Sequence, residues 1–240
     1  PCAAYNLAPG STVWTRRTYA DLGLDTVLDG PVIAAFDVES RDIAFLFTRT
    51  SFYKVSLPNL GVLRTGSHSA LHPRLDGTYE IHAAYSVPAA YNGKPSGRDD
   101  VIFAHRVLGQ SNGRALVLEY LPASDGLGPS DAQWVTFSWA GDTDPPPANR
   151  ALRALWLDVD NARGWLGGSS SCGVYYGAYQ AAVTTDRVHL RDTAACMPFD
   201  FVKSYPLSSF TPFTYTRAPV TTEIGATFWW NGHLFVFPAP

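Results

Sequence analysis

The chain has 240 residues, of which 46% are hydrophobic, 13% aromatic and only 16% charged, with 18 Pro, 20 Gly and a formal net charge of −3. That charge leaves no basic footprint, which excludes nucleic-acid binding as the main task, and no apolar run reaches the roughly 20 residues of a membrane-spanning helix. Lysine stands only at Lys54, Lys94 and Lys203 and glutamate only at Glu39, Glu80, Glu119 and Glu223, so the Lys/Glu-rich surface of a helical protein is missing and an all-β chain is expected.

A single domain over 1–240 is the expectation, because β sandwiches and barrels of this length are commonly single. The chain opens at Pro1 rather than Met, as a processed product or an excised domain does. Residues 1–30, broken at Pro9-Gly10, read as an extended N-terminal arm or a first strand around Thr12–Thr15. Val32–Phe36 is a short β-prone run. Ile43–Val55 is apolar and broken at Thr48–Ser51, which predicts a hairpin, with a short helix over 40–47 as the competing reading. Thr78–Val87 alternates as a strand, and Val101–Leu108 and Arg114–Leu121 flank Ser111-Asn112-Gly113 as a second hairpin. Gln133–Trp139 alternates cleanly. The run GDTDPPP at 141–147 is the stiffest break in the chain, and a subdomain boundary is expected at 141–148.

Residues 149–159 carry Leu152, Leu155, Trp156 and Val159 at helical spacing and predict the one helix, against a strand at Ala154–Val159. Short strands follow within Val174–Val183, at Arg187–Leu190 and at Phe199–Val202. Finally, Ala226–Trp230 and His233–Phe237 flank Asn231-Gly232, the strongest short signal for a two-residue type I′ turn. That turn predicts the pairs Trp230–His233, Trp229–Leu234 and Phe228–Phe235. Recurrent short strands separated by turn residues predict an antiparallel β sandwich or jelly roll with long loops and at most one or two short helices.

Candidate chemistry is sparse. His68 and His72 are four apart, a zinc spacing on a helix, but Pro73 argues for a loop and for exposed or capping histidines. Asp158-Val159-Asp160-Asn161 opens like a calcium loop, yet Arg163 and Ser169 stand where such a loop needs Gly and Glu. The run GSSSCG at 168–173 lacks the spacing of a nucleophile elbow. No catalytic residue, metal or cofactor is therefore expected. Cys172 and Cys196 are the candidate disulfide, leaving Cys2 free, and a reduced chain without a bridge fits equally. Aromatics in Gly/Ser-rich loops suit adaptable recognition. Tyr175, Tyr176 and Tyr179, with Asn92, Lys94, Asp142 and Asp144 in neighbouring loops, are thus the candidate contacts for a receptor or partner. Trp229 and Leu234 are candidate subunit contacts if their row is exposed.

Three segments share a pattern: Ile33-Ala34-Ala35-Phe36, Ile81-His82-Ala83-Ala84-Tyr85 and Ile224-Gly225-Ala226-Thr227-Phe228, each followed by an aromatic strand. The pattern resembles the blade-opening strand of hemopexin-like propellers, although the copies that even spacing would put near residues 129 and 177 do not appear. That resemblance implies a ligand-binding propeller. Two other segments resemble capsid proteins of picorna-like viruses. Val38–Val55 is similar to the segment leading into the first jelly-roll strand there, and Phe213–Pro240 to a Phe-Thr-Tyr-x-Arg strand and its aromatic successor. This second resemblance implies a virion protein, capsid or spike, that assembles with other capsid subunits or copies of itself. It would contribute to host attachment through a receptor or glycan, without catalysis. The capsid protein is the leading expectation; the propeller is the second, and a secreted hydrolase or lectin-like carbohydrate-binding domain the third.

Overall fold

The computed structural model of the chain describes residues 2–89, 96–106, 109–110, 112–138, 152–158, 179–184, 187–191, 201–206, 208, 211–219 and 224–239. β1 (Ala3–Leu7) and β2 (Thr15–Thr18) come first in the chain but belong to its last sheet. β3 (Ala34–Val38), β4 (Ile43–Phe47), β5 (Ser51–Ser56) and β6 (Gly61–Ser67) form an antiparallel meander. β7 (Ala83–Val87), β8 (Asp100–Arg106), β9 (Asn112–Leu121) and β10 (Gly126–Gly128) form the second sheet, with β11 (Val135–Ser138) also on β9. The third is β12 (Leu152–Asp158), β13 (Tyr179–Thr184), β14 (Arg187–Arg191) and β15 (Phe201–Pro206). β16 (Ile224–Trp230) and β17 (His233–Pro238) are continued by β1 and β2 in the fourth.

The opening strands of the four sheets pack on one another in a ring: β3 on β7, β7 on β12, β12 on β16 and β16 on β3. Neighbouring sheets therefore lie face to face in pairs, as in a sandwich, and the pairs close into a propeller of four blades. The antiparallel all-β class expected from the sequence holds. Helical turns among the described residues are short, at Glu39–Arg41, His68–Leu71 and Thr211–Thr214. No helix among them is long and apolar enough to cross a membrane.

The N-terminal segment, expected as an arm or a first strand around Thr12–Thr15, instead gives two strands, β1 and β2, to the fourth blade. β1 pairs with β17 through Tyr5–Val236, Asn6–Phe235 and Leu7–Leu234, so the backbone groups that β17 would otherwise leave unpaired are satisfied. The buried Trp14 fastens the segment to the C-terminal part of the chain, its Nε1 donating to the Pro212 carbonyl at 2.6 Å.

An opening strand is covered on both faces, which explains its residues. β3 and β7 are buried throughout, so they read as continuous apolar runs rather than alternating ones. Small residues stand where the strands converge: a Cβ added at Gly225 would lie 2.5 Å from the Val32 carbonyl oxygen. The same covering accounts for the helix predicted at 149–159. Leu152–Asp158 is a strand paired with β13 and packed between β7 and β16, and an apolar run in such a place matches helical spacing as well as strand spacing. The third blade thus opens with Ala154-Leu155-Trp156 rather than near 129. The helix considered over 40–47 shrinks to the turn at Glu39–Arg41, and β4 and β5 make the predicted hairpin.

The C-terminal hairpin has the predicted register, Trp230–His233, Trp229–Leu234 and Phe228–Phe235, with φ of 51° at Asn231 and 77° at Gly232. Two seams flank the first blade. Toward the second blade, Phe36 and Phe47 meet Phe103 edge-on, with centroids 5.9 and 5.4 Å apart. Toward the fourth, Ala35, Leu46 and Tyr53 pack on Phe228, Trp230 and Phe237. The boundary expected at 141–148 lies outside the described residues.

Candidate functional site

Asp37 is the residue after Ala34-Ala35-Phe36 on β3, and Ser86 is the residue after Ala83-Ala84-Tyr85 on β7. The two blades therefore present these side chains from the same position of the repeat. Ser86 Oγ donates to Asp37 Oδ1 at 2.9 Å, which joins the two opening strands. Asp37 is only 6% exposed. Burial pushes its carboxyl up to about 8, against the Ser86 hydrogen bond and with help from the negative charges of Glu39 and Asp99. Asp99, just before β8, is 7% exposed; its Oδ1 accepts from the Ala89 amide at 2.8 Å and its Oδ2 is buried with no partner. Burial raises this carboxyl too.

Asp100 follows, buried and in register with Val87. At the far end of β8 stands the buried Arg106, whose guanidinium burial pushes down to about 10 and whose amide donates to His82 Nδ1 at 3.1 Å. A single strand thus runs from acids at one end of the second blade to a base at the other. Among the described residues neither Asp37 nor Asp99 makes an ion pair. On β12 the last position is Asp158, in register with Tyr179. The arrangement supplies acceptors with little counter-charge.

His68 is on a short helix after all, but its Nε2 lies 3.1 Å from the Thr48 and Ser51 carbonyl oxygens, and its ring packs on Phe47. His72 is buried rather than exposed, with Nε2 3.0 Å from the Pro129 carbonyl and Nδ1 accepting from the Arg74 amide. The two rings tie separate loops and share no ligand. Among the described residues no three His, Cys, Asp or Glu side chains gather as metal ligands.

Tyr179 begins β13. Tyr175, Tyr176, Asn92, Lys94, Asp142, Asp144, Cys172 and Cys196 lie outside the described residues. Cys2 is a free, exposed thiol. Leu234 is 1% exposed, packed inside the chain against Trp14, Ile224 and Val236, with Trp229 half-buried on the same cluster. That row therefore packs on the N-terminal segment, Leu234 wholly and Trp229 in part. Sequence reasoning missed Asp37, Ser86 and Asp99. The signal for the first two was present, since the Ala-Ala-aromatic repeat aligns them.

No protein-family model matches the chain, and no curated protein is similar to it. Solved structures are. A Cicer arietinum lectin with two metal-binding sites is 14% identical, covering 84% of this chain and 79% of that one with a TM-score of 0.52. A hemopexin-fold protein from cow pea is 11% identical over 84% and 79% with a TM-score of 0.52. A seed albumin from Lathyrus sativus is 13% identical over 83% and 78% with a TM-score of 0.52. The likeness is one of fold, and the fold is the hemopexin type.

The capsid reading is thereby overturned, together with virion location and host attachment. Val38–Val55, likened to the approach to a jelly-roll strand, is the β4–β5 hairpin of the first blade with the turn before it. Phe213 and Thr214, which open the likened Phe-Thr-Tyr strand, belong instead to the helical turn Thr211–Thr214, and Arg217 has a φ of 60°.

Proposed function

We propose that the chain is a non-enzymatic, ligand-binding propeller that takes up an ammonium group at the acidic end of its first two blades. The observation that carries this is the pair Asp37 and Asp99, two buried carboxyl groups served by one hydroxyl and one amide. A buried carboxylate without counter-charge is costly, so the unliganded Asp37 stays low in charge by holding its proton, and burial pushes Asp99 in the same direction. An ammonium brings three N–H donors and a positive charge, matching Asp37, Asp99 and the acceptor capacity of Ser86. A metal ion fits less well, because no three metal-binding side chains converge among the described residues. The metal sites in the Cicer arietinum lectin's description support cation uptake by this kind of fold. The seed albumin among its neighbours supports a secreted, extracellular place.

Calorimetry with n-butylammonium at pH 7, in two buffers of different ionisation enthalpy, tests the reading. Binding should release protons, because Asp37 passes from largely protonated to charged. Asp37→Asn should abolish both the heat and the release, and n-butanol should not bind. Absence of binding, or equal binding by the variant, would sink the proposal. The same group sets a stability slope. With its folded pKa raised from 3.8 to about 8, its contribution is fully present below 3.8 and is lost as pH rises through the folded value. Asp37→Asn should flatten that slope, gaining about 1 kcal/mol or more over the wild type at pH 8 in urea melts.

A further inference from the structure

The seam between the fourth and first blades is closed near the axis and parts toward the rim. Alternation decides what lines the opening. Asn6 stands opposite Thr15 on β2 and Phe235 on β17, and Ala4 stands opposite Arg17. Side chains two apart share a face of a strand, so Asn6, Thr15, Arg17, His233 and Phe235 all look toward the first blade. Further in, this face carries Phe228, Trp230 and Phe237 and is sealed. At the rim only the turn residues Pro58, Asn59 and Leu60 of the first blade approach it, and a cleft of about 210 Å³ remains. That is below the 300–1,000 Å³ usual for drug-sized ligands, so its occupant is small.

The lining is rich in donors. His233 Nδ1 lies 3.2 Å from Asn6 Oδ1; an amide oxygen only accepts, so Nδ1 carries the proton. Asn6 Nδ2 is buried and has no partner, which costs free energy unless an acceptor reaches it. Arg17 and Asn59, both donor-bearing residues, line the same cleft. Its titratable side chains are Arg17 and His233, since the Tyr5 ring packs on the opposite face, and among the described residues no Asp or Glu lines it. Burial pushes the His233 imidazole below its usual pKa. Its ring packs against Phe235, with centroids 6.1 Å apart.

We propose that this cleft binds a small organic carboxylate, its oxygens taken by Arg17 and the Asn6 amide and its apolar body laid against Phe235 and the 58–60 turn. The proposal does not rest on the ammonium site, which is acidic and lies on the opposite side of the first blade, toward the second.

Benzoate is the probe, read by NMR on the His233 ring of the full chain. It should shift those resonances saturably and raise the His233 pKa, since an anion beside the ring favours imidazolium. Arg17→Met, a change on an exposed side chain, should weaken binding at least tenfold, and Asn6→Asp, which puts a like charge against the ligand, should abolish it. Benzyl alcohol and inorganic phosphate should each bind at least tenfold more weakly. No response to benzoate, or an unchanged affinity in Arg17→Met, overturns the site; phosphate binding as well as benzoate overturns the organic ligand class. Asp37→Asn should leave benzoate binding intact, and a loss there would mean the two sites are not separate.

Discussion

The first blade meets its two neighbours through seams that match near the axis and diverge at the rim. Toward the second blade the rim is bolted. Lys54 Nζ donates to both oxygens of Asp125 at 2.8 and 2.7 Å, Tyr120 donates to Oδ1 at 2.7 Å, and Arg64 reaches the Asp125 carbonyl at 3.1 Å. Toward the fourth blade the rim holds Arg17, His233 and Asn6 with no carboxylate among them. One rim answers each charge with a partner from the adjoining blade, which is what structural polar groups do. The other leaves donors in excess around a space. The difference separates a seam that holds the ring together from one that is left for a ligand.

The bolted seam is where the largest effects belong. Phe103→Ala removes the ring that Phe36 and Phe47 meet edge-on and should cost about 3–5 kcal/mol in urea melts. A loss under about 1 kcal/mol would mean that this seam contributes little to closure. Asp125→Ala should cost about 2 kcal/mol. That is less than the usual 3–5 for breaking a buried pair, because the Asp125 side chain is 33% exposed and partly screened. Although burial alone would raise it, the hydrogen bonds from Lys54 and Tyr120 and the charges of Lys54 and Arg64 hold the Asp125 carboxyl below its usual pKa. Its contribution is therefore complete above 3.8 and lost as pH falls through the lower folded value. The variant should show a weaker acid destabilisation in that window than the wild type.

How far each feature could be read from the chain follows from how local its cause is. The Asn231-Gly232 turn and its register were legible because two positive-φ residues decide them. The propeller was half legible: three openings of the repeat stand in the sequence, but the opening at Leu152–Asp158, packed between β7 and β16, is an apolar run whose spacing mimics a helix. Asp37 and Ser86 occupy one position in two copies of the repeat, so a reader committed to the repeat could have paired them. Asn6 and His233 are 227 residues apart. Only closure of the ring by both ends of the chain brings them together, and nothing within either segment announces it.

The smallest expected effect is the sharpest test of the comparison between the rims. Arg17 is exposed, and among the described residues it makes no ion pair. Its backbone pairing with Ala4 survives any side chain. Arg17→Met keeps an apolar stem of similar reach over the cleft and should change stability by no more than about 0.5 kcal/mol. The matching removal on the bolted rim, Asp125→Ala, costs several times more. Two polar residues at equivalent seams would then differ in what the fold asks of them, because one is answered from the adjoining blade and the other is not. A loss above about 1 kcal/mol in Arg17→Met, measured in the same urea melts, would place Arg17 among the groups that hold the blades together. The open rim would then be a second bolt, and the donor-lined cleft would lose its claim to a ligand.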